Sequence, residues 1–317
     1  MVRLFASNTF FVLVIVPLLF TVNVFLEYNF NAITSSVNHA TDLWGIPFHK
    51  LSAGISNVIL ISILTVNAVL INYTYNKHEF FERNTYLPSL IYVLIVCFFP
   101  MSTLLNGDLF AHFFIILALH ELLNIKQSDD SRRTAFNASL FIGLATTMNP
   151  VFLYFLPVFS LSLISIRKFI FREHLLAIIG FVIPFLWLFY VDKDFYSALF
   201  EFTAQLDYGR LPNYVLFAPN VIIALLLILS YRNIGLRITK SSIRFKRLMT
   251  MVLYLFLLSA ISSVIIFTFF NSYFYFSSGA IALSIILPYA YNDSKKKVLP
   301  VLLIYGLIVL HIVKFVI

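Results

Sequence analysis

The chain has 317 residues, of which 61% are hydrophobic and 11% are charged, and its mean hydropathy is +0.93. This composition excludes a soluble globular domain and is typical of a polytopic membrane protein. The formal net charge is +8, but the distribution of the charges between successive loops explains it without nucleic acid as a partner.

Apolar segments separated by charged loops predict an all-α, polytopic transmembrane helix bundle in one domain, residues 1–317. The first segment follows Arg3 and is not succeeded by a small-x-small cleavage site, so we interpret it as a retained helix rather than a secretory signal. About eleven spans are predicted, with ends good to a few residues. They are 9–26, 53–73, 87–104, 109–124, 135–148, 150–166, 175–191, 213–231, 248–269, 277–291 and 298–316.

An uncharged segment lies between Arg133 and Arg167 and contains Asn149-Pro150. It exceeds the roughly 20 residues that cross a hydrocarbon core of about 30 Å. Proline removes a backbone donor and disfavours helix at the preceding residue, whereas asparagine can cap a helix that starts at the proline. The segment is therefore predicted to be a hairpin of two short helices, 135–148 and 150–166.

A cytoplasmic N-terminus places all but four of the 22 basic residues on the inner side, the exceptions being Lys50, Lys193, Arg210 and Lys314. The positive-inside rule favours this orientation. If residues 135–166 formed a single span, the basic loops from Arg167 onward would lie on the outer side, against the positive-inside rule. The sequence thus predicts a multi-pass protein of the bacterial inner (cytoplasmic) membrane. Its inner basic residues, Arg167, Lys168 and Arg172 among them, are expected to contact lipid phosphates.

Two outer loops, 27–52 and 192–212, are long enough to hold structure of their own. Apolar residues recur at helical spacing after Asp42, which can cap a helix, and again over 195–206. Two short amphipathic helices are predicted there, lying along the outer interface. They either seal the top of the bundle or roof a lipid-facing cleft.

Two outer carboxylates occupy special positions, Glu27 at the end of the first span and Asp108 in the turn 106–108. A carboxylate at a membrane mouth can deprotonate an acceptor hydroxyl, or hold a divalent metal against a phosphate leaving group. Arg210 can pair with that phosphate. Each residue also fits a solvated helix end or turn. His112 and His120 lie close to one helical face but have no third ligand at convincing spacing, so no metal site is predicted from them.

With Glu27, a long first outer loop, Asp108 and the hairpin, the layout resembles the GT-C glycosyltransferases, membrane enzymes that use polyprenyl-phosphate sugars. Residues 136–154, FNASLFIGLATTMNPVFLY, are similar to the glycine-containing helix and short return helix of that family. The resemblance covers residues 1–190 and leaves 191–317 as a C-terminal helical part. It implies Glu27, or Asp42, as the catalytic base and Asp108 as support for a metal or the donor.

Two further stretches, NKHEFFERNTYLPSLIYVL (76–94) and IRKFIFREHLLAIIGFVIPF (166–185), resemble an uncharacterised integral-membrane family of Bacteroidetes-type bacteria. That resemblance spans most of the chain and implies no activity.

The sequence leaves three functions open. The first is a transferase that takes its sugar from a polyprenyl-phosphate lipid at the outer face. The second is a non-catalytic subunit or scaffold of an inner-membrane complex, whose aromatic spans, with 36 phenylalanines in the chain, pack against partner helices. The third is a lipid flippase or transporter, for which Asn67 and Asn149 are the suggestive residues.

Overall fold

The computed structural model describes ten parts of the chain, and all their regular structure is helical. They are residues 2–7, 11–30, 51–98, 102, 105–125, 131–166, 170–191, 213–270, 276–292 and 297–315. The two predicted interfacial helices fall almost entirely outside these residues. Asp42, Arg167, Lys168 and Arg210 also lie outside them.

The helices in chain order are α1 (Val2–Phe5), α2 (Val12–Phe30), α3 (Ala53–Lys77), α4 (Leu87–Val96), α5 (Gly107–Asn124), α6 (Arg132–Met148), α7 (Phe155–Ile166), α8 (Phe171–Val191), α9 (Asn213–Lys240), α10 (Ile243–Phe270), α11 (Ala280–Ile286), α12 (Pro288–Asn292) and α13 (Val298–Val313). Short 3₁₀ turns over Pro150–Tyr154 and Phe276–Gly279 precede α7 and α11.

Five of these helices, α3, α5, α8, α9 and α10, are long and apolar enough to cross a membrane. They place the chain among membrane proteins, as its composition predicts. The apolar parts of the other helices, as far as they are described, are shorter, between 10 and 17 residues. Because a span needs about 20 residues, helix length alone does not establish eleven spans.

The predicted break at Asn149-Pro150 is present. Asn149 has extended backbone angles, and its side-chain oxygen accepts a hydrogen bond from the Val151 amide at 2.9 Å. Asn149 contacts Asp108 at the start of α5, whereas Ile166 shares a cavity with Leu123 at the end of α5. An 18-residue helix is about 27 Å long, so the chain turns back at Asn149 and returns along the bundle.

Contacts between helix ends define two ends of the bundle. At the first, which we call the basic end, Lys77, Arg237 and Arg244 lie near the loop between α3 and α4. At the other, the Asp108 end, Asn23 near the end of α2 donates to Ser102 at 3.2 Å, and Asn149 meets Asp108. These three basic residues, which the sequence assigns to the inner side, therefore lie at one end of the bundle.

The centre of the bundle is formed by two short helices from distant parts of the chain. Every residue of α4 and of α11 is buried, and the two helices pack against each other. A helix that is apolar on all sides is expected to be enclosed by protein. The hydrophobic core is thus shared between residues 1–190 and 191–317.

Helices α6 and α8 pack tightly against each other and meet through glycine. A Cβ atom on Gly143 would lie 2.5 Å from the Phe181 carbonyl oxygen, and one on Gly180 would lie 2.5 Å from Ser139 Oγ. Small residues let membrane helices approach at backbone distance. The α6–α8 contact holds the first arm of the hairpin in place.

Candidate functional site

Five buried polar side chains surround the first two turns of α5, and we call them the α5 polar cluster. Each is at most 3% exposed although the surrounding core is apolar. Buried polar side chains in a membrane bundle are costly unless they are paired, so they mark either specific packing or function. The members are Asn67, Tyr92, Asp108, His112 and Asn149.

Local helix chemistry positions two of these side chains. Asn106 caps α5, with its side-chain oxygen accepting from the Leu109 amide at 3.4 Å. Asp108 follows in the first turn, where a carboxylate interacts favourably with the positive end of the helix dipole. His112 lies four residues later, and residues four apart share a helix face. The carboxylate and the imidazole are therefore one turn apart on α5.

The hairpin tip is fixed to α5 by an amide. The side-chain nitrogen of Asn149 donates to Oδ1 of Asp108, and the side-chain oxygen of Asn149 accepts from Val151. One asparagine therefore both caps the return segment and binds the carboxylate at the start of α5. A residue expected in a water-exposed turn is instead a buried partner of the hairpin.

The remaining members of the cluster bring in α3 and α4. The Tyr92 hydroxyl and Nδ1 of His112 lie 3.0 Å apart, and the Asn67 side-chain nitrogen donates to the Leu109 carbonyl at 3.0 Å. Within the described residues, Nε2 of His112 and the side-chain oxygen of Asn67 have no hydrogen-bond partner. Buried polar atoms of this kind are normally satisfied by water or a bound group, so the cluster has the capacity to hold a polar ligand.

Glu27, the predicted base, belongs to the last turn of α2. One turn earlier, Asn23 donates to Ser102, which directly precedes the segment leading into α5. The end of α2 that carries Glu27 and the start of α5 that carries Asp108 therefore lie at the same end of the bundle. Of the predicted lipid contacts, Arg172 is exposed at the start of α8.

His120 lies at the basic end and takes part in a separate set of contacts. Lys77 Nζ lies 2.9 Å from its Nε2, and the Thr74 hydroxyl lies 3.2 Å from its Nδ1. Because a lysine ammonium can only donate, Nε2 accepts and Nδ1 carries the proton. Among the described residues, no group of three or more His, Cys, Asp or Glu side chains is placed to hold a metal ion.

A feature that sequence reasoning missed is the environment of Arg237 at the end of α9. Its guanidinium carbon lies 4.7 Å from the centroid of Phe81 and 5.2 Å from that of Phe245, and Glu82 is 4.0 Å away. These residues line or flank a cavity of about 480 Å³ at the basic end. Phe81 and Glu82 belong to the loop between α3 and α4, far from Arg237 in the chain, so no local pattern indicates the arrangement.

The fold and the α5 polar cluster together define a helical membrane protein with a buried polar centre. No family model matches the chain, and no curated protein or solved structure matches it either.

Proposed function

We propose that this chain is a multi-pass inner-membrane glycosyltransferase of GT-C-like layout, with a cytoplasmic N-terminus, that acts on a polyprenyl-phosphate sugar at the outer face. The observation that supports it best is the contact between Asp108 and Asn149, at the end of the bundle where the last turn of α2 includes Glu27. A carboxylate is costly within an apolar bundle, and such residues usually serve a function.

In this proposal three residues have separate roles in the reaction. Glu27 takes the proton from the acceptor hydroxyl, the acceptor oxygen forms a bond to the sugar, and the bond from the sugar to the lipid phosphate breaks. Arg210 pairs with the departing phosphate. Asp108 holds the hairpin tip through Asn149, which keeps the donor site in one arrangement.

The described residues do not fit a divalent metal at Asp108. Hard cations require several oxygen ligands, whereas Asn149 directs its nitrogen, not its oxygen, at the Asp108 carboxylate. The side-chain oxygen of Asn149 is occupied by the Val151 amide. The proposed reaction therefore uses no metal at Asp108.

The test compares Glu27→Gln and Asp108→Ala with Glu79→Gln, a carboxylate replacement at the opposite end. Both test variants are expected to accumulate polyprenyl-phosphate sugar in the membrane and to lose glycan product, with full-length protein still present. Lipid mass spectrometry of the membranes measures the precursor. Unchanged precursor and product in both variants would exclude the transferase.

A second candidate, a non-catalytic subunit of a membrane complex, is favoured by the aromatic surface at the end of α8. Trp187 is 64% exposed and Tyr190 is 83% exposed, and exposed aromatic anchors are common at protein interfaces. Native mass spectrometry of the gently extracted protein separates the candidates. A partner in fixed stoichiometry that Trp187→Leu removes would support the subunit, and a retained polyprenyl-phosphate lipid would support the transferase.

A further inference from the structure

A cavity of about 380 Å³ lies at the basic end, between the last residues of α5 and α7 and the first turns of α10. Its volume falls in the range of about 300–1,000 Å³ that is usual for ligand sites. Among the described residues, the lining is apolar except for Asn124 and two arginines, Arg244 and Arg247. The apolar residues are Leu123, Ile125, Ile166, Ile243, Leu248 and Met251.

The polar and apolar parts of this cavity are arranged along α10. Arg244 and Arg247 lie three residues apart in its first turns and therefore share a face. Met251 follows Arg244 by seven residues, which is about 10 Å deeper along the helix axis. The charged groups are thus at the basic end of the bundle and the apolar lining extends toward its middle, in the orientation of a lipid molecule in a leaflet.

The charge at the mouth of the cavity is positive from two sources. No acidic residue occurs in the first turn of α10, and the cavity lining contains none among the residues that the structure describes. Ser242 caps the helix, with its hydroxyl accepting from the Phe245 amide at 3.3 Å, and a helix N-terminus carries a partial positive charge. The neighbouring 480 Å³ cavity differs, because Glu79 and Glu82 offset Arg237 and Lys240 there.

We propose that this cavity of about 380 Å³, which we call the α10 cavity, binds one anionic phospholipid. Its phosphate lies on Arg244 and Arg247, and part of an acyl chain lies along Ile166 and Met251. Basic sites between membrane helices bind anionic headgroups, whereas the apolar lining selects a lipid over a free anion. The site is at the opposite end of the bundle from Asp108, so it stands apart from the proposed transferase.

The experiment uses full-length protein that is purified in detergent, stripped of lipid and titrated with dioleoyl-phosphatidylglycerol, followed by native mass spectrometry. The wild-type protein is expected to bind this lipid about tenfold or more tightly than dioleoyl-phosphatidylcholine. Arg244→Gln/Arg247→Gln should abolish that preference. Lys246→Gln, an exposed cation in the same turn that does not line the cavity, should retain it.

A third variant keeps the test decisive if the double variant does not fold. Ile243 is 69% exposed and lines the cavity, so Ile243→Trp should fold while narrowing the site, and should weaken phosphatidylglycerol binding severalfold. Equal affinity for the two lipids, an unchanged preference in the variants, or displacement of the lipid by millimolar inorganic phosphate would each overturn the proposal. Because glycan product is measured separately, failure of lipid binding leaves the transferase proposal untouched.

Discussion

At the start of α5, the Asp108 carboxylate is buried and accepts a hydrogen bond from Asn149. Leaving a buried donor without its acceptor costs about 1–3 kcal/mol, more than the net gain from making an average hydrogen bond. The contact also joins the hairpin tip to a helix 41 residues earlier in the chain. Substitutions can separate the contribution of this contact to stability from its contribution to the proposed reaction.

Asp108→Ala is expected to lower the unfolding temperature in detergent by several degrees, because it leaves the Asn149 amide buried without this acceptor. Asp108→Asn should lower it less, since an asparagine oxygen still accepts. The swap Asp108→Asn/Asn149→Asp should recover much of the stability of the alanine variant. Equal unfolding temperatures for wild type and Asp108→Ala would show that the pair contributes nothing to stability.

His78, just beyond the end of α3, predicts a pH dependence of stability. Burial lowers the pKa of His78 from 6.5 to about 3, and the charges of His120, Arg244 and Lys77 act in the same direction. Between about pH 3 and pH 6.5, His78 is therefore neutral in the folded protein, whereas it binds a proton in the unfolded chain. Its contribution to stability is complete above about pH 6.5 and is lost progressively as the pH falls toward 3.

The measurement is the unfolding temperature at about pH 7.5 and about pH 5. The difference between the two values should be smaller in His78→Gln than in the wild-type protein, because the variant has no imidazole to protonate on unfolding. An identical pH dependence in the two proteins would contradict the assignment.

The roles of several single residues could be predicted from the sequence before the fold was known. Asp108 was recognisable as an outer carboxylate and Asn149 as a helix break, because both depend on local chemistry. Their contact was not, since no pattern in a single sequence measures the distance between residues 41 positions apart. For the same reason the contact between His112 and the Tyr92 hydroxyl was not predicted.

Among the helices, the tight α6–α8 pair depends on the absence of two side chains. In Gly143→Ala the new methyl group would meet the Phe181 carbonyl, and in Gly180→Ala it would meet Ser139 and the Phe136 carbonyl. Because these neighbours are largely backbone, the helices must separate, and a loss of about 1–3 kcal/mol is expected.

Gly235→Ala is the matched control, since a Cβ atom there meets nothing within 4 Å. Alanine is favoured over glycine within a helix by about 1 kcal/mol, so this variant should be as stable as the wild type or more so. Thermal unfolding of the three variants in one detergent checks both expectations. A similar loss in all three would show that glycine is needed for another reason.

Helix boundaries were predicted where they depend on local chemistry and missed where they depend on packing. Pro150 ends α6 through its own backbone, and that break was predicted. By contrast, α9 continues to Lys240 and α10 begins at Ile243, whereas the predicted spans were 213–231 and 248–269. Apolar character marks the part of a helix that lies in lipid, and the basic turns beyond it remain helical.

For the whole molecule, the two ends of the bundle predict a topology that labelling can test. Ser52 and Asn84 are exposed and flank α3, and the native Cys97 is buried. A membrane-impermeant maleimide should label Ser52→Cys in cells with a permeable outer envelope, because the positive-inside rule places it outside. Asn84→Cys should be labelled only after the inner membrane is opened, and the reverse pattern would invert the orientation.

The packing of α4 against α11 has a consequence for biosynthesis. The two helices are separated by roughly 190 residues, which ribosomes translate in about 10–40 s. At 10 residues α4 is too short to span a bilayer by itself, and it reaches its enclosed position only when α11 arrives. Newly made chains therefore pass through a period in which α4 needs a temporary neighbour, and the membrane insertion machinery or a membrane chaperone is the natural place to look for one.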